Sequence, residues 1–214
     1  MNISTSGIPK AGLPQGFVYI DDLIEDCIVD QKYWGTDNFV GCRIDGYDRP
    51  LVIMTVEAAR GAVKAADILR NRGFLVKFFD AYRPQRAVNH FMRWGADPQD
   101  IRRKPIHYPS IDKERVFELG YVAEKSAHTR GTAVDLTLVD KQTHQELDMG
   151  TIFDFMDPRS HALAQGLNPQ QEQNRTILRE AMEKSGFVRY PYEWWHYNLA
   201  QEPYPDTYFD FPIR

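Results

Sequence analysis

The sequence predicts a single compact α+β domain, with a mixed or antiparallel central sheet and flanking helices. A length of 214 residues suits one domain with a full hydrophobic core, expected over residues 17–214 after an N-terminal arm at 1–16. Hydrophobic residues make up 43% and charged residues 26% of the chain, which excludes a disordered, collagen-like or coiled-coil protein. Candidate helices and strands are interleaved without regular βαβ repetition, and this favours an α+β fold over a doubly wound sheet.

The arm is rich in glycine and proline, and the β-rich run at 17–20 after it predicts a strand. Small apolar residues at helical spacing predict a helix over 55–72, which Gly73 ends. An apolar run then predicts a strand at 74–79. The first half of the domain is therefore expected to alternate strand and helix.

Pro84 opens a second candidate helix over 85–94, and Gly95 and Pro98 are expected to end it. The stretch at 101–112 is rich in proline, arginine and tyrosine and predicts a surface loop.

Alternating apolar residues predict a strand at 133–138. A third helix is expected over 171–185, followed by strands at 187–188 and 194–199. The tail at 202–214 combines proline with aromatic residues, and we expect it to pack along the domain as extended chain. The strand at 133–138 would place Val134, Leu136 and Leu138 on one face and Ala133, Asp135 and Thr137 on the other.

The composition of the chain limits which partners and which cellular location are expected. The 26 basic and 30 acidic side chains give a net charge of −4, so no basic excess indicates nucleic-acid binding. No apolar run reaches the roughly 20 residues of a membrane helix, and the N-terminus lacks the apolar core of a signal peptide, so a cytoplasmic location is expected. Cys27 and Cys42 are predicted to be reduced thiols. Aromatic residues, 13% of the chain, suit a homodimer surface as well as a core.

Two segments combine metal-ligating side chains with residues that control backbone geometry. The first runs from 126 to 135 and contains His128 and Asp135, and the second runs from 193 to 197 and contains His196. Two neutral imidazoles and one carboxylate are typical of a catalytic zinc site, which keeps its fourth position for water. A structural zinc site would need four ligands, and no cysteine lies near these residues in sequence.

The spacing of these residues constrains the backbone. His128 and Asp135 are an odd number of residues apart, so they can meet one ion only if the chain turns between them, and Gly131 permits that turn. Glu193 stands three residues before His196, which suits a helical turn or a loop-to-strand junction. Glu193 would then lie beside the metal as a general base. Lone histidines are more often surface or satisfied core residues, which is our interpretation of His90, His107, His144 and His161.

The two motifs, S-x-H-x-x-G-x-A-x-D-L at 126–136 and E-W-W-H-Y at 193–197, together resemble the zinc D-alanyl-D-alanine peptidases. Within that group the sequence is most similar to the dipeptidases of the VanX type. The resemblance covers residues 17–214 and extends to the segments at 80–84, 120–123, 153–157 and 202–205.

The resemblance implies one Zn²⁺ per chain, bound by His128, Asp135 and His196. It implies that Glu193 is the general base and later the proton donor. It also implies that Arg83 polarises the scissile carbonyl and stabilises the oxyanion, although an arginine before a proline is, by itself, more often a surface residue.

For the substrate, the resemblance places Ser126, Tyr121 and Asp154 around the ends of a small dipeptide, with Asp154 at the free ammonium group. A free dipeptide carries one cation and one carboxylate, so a dipeptidase needs a fixed anion at one end and donors at the other. Each of two residues keeps an alternative to substrate binding. Asp154 could cap a turn, and Ser126 could orient the loop that carries His128.

The function implied is zinc-dependent hydrolysis of D-alanyl-D-alanine to two D-alanines, for removal of a peptidoglycan precursor in glycopeptide resistance or for D-alanine salvage. One alternative is a carboxypeptidase or endopeptidase that acts on longer cell-wall peptides. Another is a non-catalytic interaction domain stabilised by zinc, which would need neither Glu193 nor Arg83.

Overall fold

A computed structural model describes residues 8–214, so residues 1–7 of the predicted arm at 1–16 lie outside the described residues. The strands are β1 (Phe17–Tyr19), β2 (Ile28–Val29), β3 (Ile53–Thr55), β4 (Phe74–Asp80), β5 (Ala133–Asp140), β6 (Phe187–Arg189) and β7 (His196–Leu199). The helices are α1 (Val56–Arg70), α2 (Gln85–Ala96), α3 (Lys104–His107), α4 (Arg115–Glu118) and α5 (Pro169–Lys184).

The strands form a five-stranded mixed sheet in the order β2-β4-β5-β7-β6 and a separate two-stranded sheet of β1 and β3. Only β2 runs parallel to its neighbour among the described strands, and the other pairs are antiparallel. The predicted α+β class with a mixed central sheet is therefore confirmed. At one end of the sheet Asp135 of β5 lies opposite Asp80 of β4 and His196 of β7.

Local sequence explains the two long helices. The side chain of Thr55 caps α1 by accepting a hydrogen bond from the amide of Ala58, and Gly73 follows the helix with a φ of 88°. The predicted helix at 55–72 is thus confirmed. α5 begins with a capping box between Asn168 and Gln171, and its buried face packs against α1 and β6.

Helix α2 does not end at Gly95, as its sequence suggests, but continues to Ala96. A Cβ atom on Gly95 would overlap the ring of Phe117, so the glycine permits a close approach of α4 rather than a helix stop. The prediction of a helix end at this glycine was therefore wrong.

The stretch at 101–112 is not entirely surface loop. It contains α3, and both His107 and Tyr108 are buried. The ring of Tyr108 packs edge-on against Trp94, and the imidazole of His107 is hydrogen-bonded to the backbone of Asp154. The proline and arginine content predicts an exposed loop, but the packing of these two rings into the domain buries part of the stretch.

The first described residues and the C-terminal tail lie against the domain. The amide of Ala11 donates to the carbonyl of Arg214, and Lys10 forms ion pairs with Asp21 and Asp22. The tail at 202–214 packs as extended chain, as predicted. Cys27 and Cys42 are free thiols, and no helix in residues 8–214 is long and apolar enough to cross a membrane.

Candidate active site

A cavity of about 170 Å³ opens at the end of the central sheet where β4, β5 and β7 meet. Its wall combines aromatic rings with charged and polar side chains, including Tyr33, Phe39 and Phe91. All the site residues predicted from the sequence line this cavity: Arg83, Tyr121, Ser126, His128, Asp135, Asp154, Glu193 and His196.

Three buried side chains, His128, Asp135 and His196, meet at the base of the cavity. The Nε2 atom of His128 lies 3.2 Å from Oδ2 of Asp135, and Nδ1 of His196 lies 3.0 Å from Oδ1 of the same carboxylate. The chain turns between the first two residues at Gly131, which has a φ of 73°. The turn that the odd spacing required is therefore present, at the predicted glycine.

Hydrogen bonds on the far side of each imidazole fix its tautomer. Nδ1 of His128 is 2.6 Å from the carbonyl of Ala81, which can only accept, so this nitrogen carries the proton. Nε2 of His196 is 3.0 Å from Oδ1 of Asn198 and donates to it in the same way. The inward nitrogens, Nε2 of His128 and Nδ1 of His196, therefore present lone pairs in the neutral rings.

When both rings are neutral, as metal binding requires, the ligand atoms that face one another have no hydrogen to share. The two inward nitrogens are 3.1 Å apart, and Oδ1 of Asp135 is buried without a hydrogen-bond partner in the described structure. Each of the three residues has a ligand atom within 4.8 Å of the others. Lone pairs at such distances repel unless a cation lies between them, and a donor set of two imidazoles and one carboxylate suits Zn²⁺.

The charges of the site follow from burial and proximity. Burial lowers the pKa of His128, which favours the neutral ring that a metal requires. Burial alone would raise the pKa of Asp135, but His128 and His196 beside it lower the pKa overall, so the carboxylate is ionised.

Glu193 lies at a loop-to-strand junction, just before β7 begins at His196. Its Oε2 atom is 3.6 Å from Nδ1 of His196, and its side chain faces the cavity. Burial raises the pKa of Glu193 to about 7, so the group exchanges a proton readily near neutral pH.

Arg83 is a mostly buried cavity residue rather than a surface arginine on a loop. Its Nε and Nη2 atoms both lie 2.9 Å from Oδ2 of Asp80, and its guanidinium stacks 5.0 Å from the ring centre of Tyr33. The carboxylate of Asp80 is fully buried and also accepts a hydrogen bond from Tyr47. The guanidinium is thus held in the cavity wall, where its Nη2 atom also lies 3.6 Å from Oδ2 of Asp135.

Asp154 has an unusual backbone and a carboxylate without a cationic partner. Its φ is 56°, in the left-handed region that non-glycine residues rarely adopt. The carboxylate accepts one hydrogen bond, from Tyr33 at 2.9 Å, and forms no ion pair with any described residue. Burial raises the pKa of Asp154, and the charges of Asp135 and Glu193 raise it further. The side chain does not cap a turn.

Ser126 and Tyr121 also line the cavity. The Oγ atom of Ser126 accepts a hydrogen bond from the amide of His128 at 3.2 Å, so the serine orients the turn that carries this histidine. Its hydroxyl proton stays available to a cavity ligand. Tyr121 lines the cavity as a partly buried residue, and burial raises the pKa of its hydroxyl.

The sequence analysis did not identify the residues that orient Arg83 and His196. Asp80 stands three residues before Arg83 in the D-A-Y-R-P segment, and Asn198 stands two residues after His196 on one strand face. Both spacings are visible in the sequence and could have identified these residues.

Tyr33 and His107 carry no comparable pattern, because they approach Asp154 from distant parts of the chain. His107 is a satisfied core histidine, as interpreted: its Nδ1 donates to the carbonyl of Asp154 at 3.1 Å, and its own carbonyl accepts from Met156 at 2.7 Å. These contacts hold the strained backbone at Asp154 in place.

Comparison with known proteins gives consistent matches. A sequence profile described as D-Ala-D-Ala dipeptidase matches residues 14–214. A D-alanyl-D-alanine dipeptidase of Enterococcus faecium is 45% identical over 199 residues, covering 93% of this chain and 98% of that protein. The dipeptidase of Enterococcus faecalis is 42% identical over 201 residues, covering 94% and 100%. A solved structure of the vancomycin-resistance D,D-pentapeptidase VanY with Zn(II) has a TM-score of 0.44 at 16% identity, covering 74% of this chain and 78% of that one.

Proposed function

Because this chain belongs to the D-Ala-D-Ala dipeptidase family, we propose that it hydrolyses free D-alanyl-D-alanine to two D-alanines at one Zn²⁺ held by His128, Asp135 and His196. The observation that carries the proposal is the set of proton-free ligand atoms that face one another at the base of the cavity. Zn²⁺ at this position would act as a Lewis acid, which polarises a carbonyl and makes water nucleophilic near neutral pH.

Glu193 acts as the proton carrier. Its carboxylate takes the proton of the attacking water and passes it to the nitrogen of the leaving D-alanine. A pKa of about 7 suits both halves of this transfer, because the group is neither a very weak base nor a very weak acid at neutral pH. Its place beside His196, without a ligand position of its own, supports this role.

Arg83 stabilises the negative charge that develops on the carbonyl oxygen. The guanidinium is fixed by Asp80 and by the Tyr33 ring before substrate arrives, so it need not reorganise during the reaction. Loss of a fixed donor of this kind costs about 10²–10³ in rate in other enzymes.

The ends of the dipeptide meet groups of opposite character. The ammonium group pairs with Asp154, whose carboxylate has no cation of its own among the described residues, and this pairing offsets its burial. Ser126 and Tyr121 donate hydroxyl protons to the carboxylate end. Rings such as Phe39 and Phe91 contact the methyl groups.

The volume of the cavity favours a dipeptide over longer cell-wall peptides. Ligand pockets usually measure about 300–1,000 Å³. This cavity, at about 170 Å³, is smaller than that range, which suits a dipeptide. Activity on an N-acylated tripeptide comparable with that on the free dipeptide would support the carboxypeptidase alternative instead.

The decisive variant is Glu193→Gln, which keeps the size of the side chain but cannot accept a proton. We expect wild-type zinc content by elemental analysis, because Glu193 is not a ligand, and a fall in D-Ala-D-Ala turnover of about 10²–10⁴. The exposed carboxylate of Glu180 provides the matched control, Glu180→Gln, which should retain full activity.

Two further measurements complete the test. Asp135→Asn should lose stoichiometric zinc, and retention of the metal would contradict the ligand assignment. The zinc-loaded protein should cleave the D,D isomer of Ala-Ala in preference to the three other stereoisomers. Full activity of Glu193→Gln would reject the proton-transfer role and, with it, the proposed catalysis.

A further inference from the structure

A second cavity, of about 370 Å³, lies on the far side of β7 from the candidate active site. Successive residues of a strand point to opposite faces, so His196 faces the first cavity while Tyr197 faces the second. We call the second cavity the arginine pocket, because its wall contains Arg175 and Arg179 of α5 and Arg189 of β6.

Each nitrogen of the Arg175 guanidinium donates a hydrogen bond to a backbone carbonyl. Its Nε atom donates to the carbonyl of Met149 at 2.7 Å, and its two terminal nitrogens donate to His161 at 3.0 Å and Arg159 at 2.9 Å. This residue ties the loop around 149–161 to α5. Its guanidinium still contributes positive charge to the pocket, because burial lowers the pKa of Arg175 only to about 10.

Arg179 and Arg189, by contrast, have unused donors. Nε of Arg179 and Nη1 of Arg189 are buried and have no hydrogen-bond partner in the described structure. Arg179 lies one turn after Arg175 on the same face of α5, and Arg189 lies directly opposite Tyr197 in the β6–β7 register. The two side chains therefore approach one space from adjacent elements.

In the described structure no carboxylate forms an ion pair with these groups, although Asp148 is near enough to act on the pKa of Arg175. Within residues 8–214 none of the three guanidiniums has a carboxylate oxygen within 4.0 Å, although Glu172 lines the pocket. Glu183 is near enough to affect the pKa of Tyr197 but forms no ion pair here. A buried donor without a partner destabilises the folded chain, and like charges in a partly buried space repel. Such an arrangement is relieved by a bound anion.

We propose that the arginine pocket binds a small molecule through an oxyanion group, a phosphate or a carboxylate, held by Arg179 and Arg189. Guanidinium groups present paired donors that match such oxygens. The pocket is larger than a bare phosphate needs, since one water occupies roughly 30 Å³ of liquid. Its apolar wall, formed by Trp194, Leu163 and Leu167, indicates that the rest of the ligand is apolar.

The first test is calorimetric titration of the zinc-loaded protein with phenyl phosphate and, separately, with benzoate. We expect saturable binding of at least one of them, weakened roughly tenfold or more in Arg179→Gln and in Arg189→Gln, since each variant removes charge-assisted hydrogen bonds. The stronger ligand of the two identifies the oxyanion as phosphate or carboxylate. Arg115→Gln is the control, because this exposed arginine pairs with Glu118 far from the pocket.

The variants also separate this pocket from the metal, because an anion bound at the active site would be unaffected by them. Equal affinity in the wild type and in folded Arg179→Gln and Arg189→Gln would overturn the proposal, as would no saturable binding of either anion. Crystals of the unaltered protein soaked in selenate give a test that needs no variant. An anomalous peak between Arg179 and Arg189 is expected, and its absence would contradict the proposal.

Discussion

The role of Asp154 at the ammonium end can be tested by removing one charge. Asp154→Asn keeps the size of the side chain and an oxygen for the hydrogen bond from Tyr33. Breaking one partner of a buried charge pair costs about 2–5 kcal/mol. The side chain opens onto the cavity and is only partly buried, so the lower half of that range applies. At about 1.36 kcal/mol per tenfold change, kcat/KM for D-Ala-D-Ala should fall roughly 30- to 300-fold.

The fall should be mainly in KM, because the ammonium group is present in the ground state and in the transition state alike. Initial rates are measured with D-Ala-D-Ala and with D-lactyl-D-alanine, in which a hydroxyl replaces the ammonium group. Asp154→Asn should penalise the first substrate much more than the second. Asp112→Asn, at an exposed residue paired with Lys104, is the control. An equal loss on both substrates would refute the reasoning.

Four further outcomes are expected. Arg83→Gln should lower kcat/KM by about 10²–10³, and an unchanged value would remove this residue from oxyanion stabilisation. Gly131→Ala should lower the free energy of unfolding by about 2–5 kcal/mol in thermal melts, because φ is 73° and the new Cβ would lie 2.5 Å from the ring of Phe17; a melting temperature equal to wild type would contradict this. Burial lowers the pKa of His107 to about 4 in the folded protein. As the pH falls, the unfolded chain therefore takes up the proton first, and roughly 3 kcal/mol of the free energy of unfolding should be lost between about pH 6.5 and pH 4. His107→Gln should flatten that loss in urea titrations at each pH. Chelation of the metal should lower the melting temperature of the wild type but not of His196→Ala.

Much of the site could be predicted because its chemistry is concentrated in short runs of sequence. His128, Gly131 and Asp135 lie within eight residues, and the constraint that a turn must separate the two ligands is a local one. The helices α1 and α5 could also be predicted from the sequence, because helical periodicity and capping residues are local properties. Local rules therefore recover the two long helices and the turn between His128 and Asp135.

Contacts between distant segments could not be predicted in this way. Strand β2 has only two residues, and its parallel pairing with β4 leaves no periodic pattern in the sequence. Glycine is a residue type that often ends helices, but Gly95 instead makes room for the ring of Phe117, which comes from a distant segment. The donors left free on Arg179 and Arg189 likewise depend on which carboxylates approach in three dimensions.

The two-faced strand β7 limits how this protein can vary. Inserting or deleting one residue between Glu193 and Tyr197 would reverse the alternation, so a phenol would enter the metal site and His196 would point into the arginine pocket. Both cavities would be lost by a single change in length. The five-residue run should therefore keep its length in any functional variant.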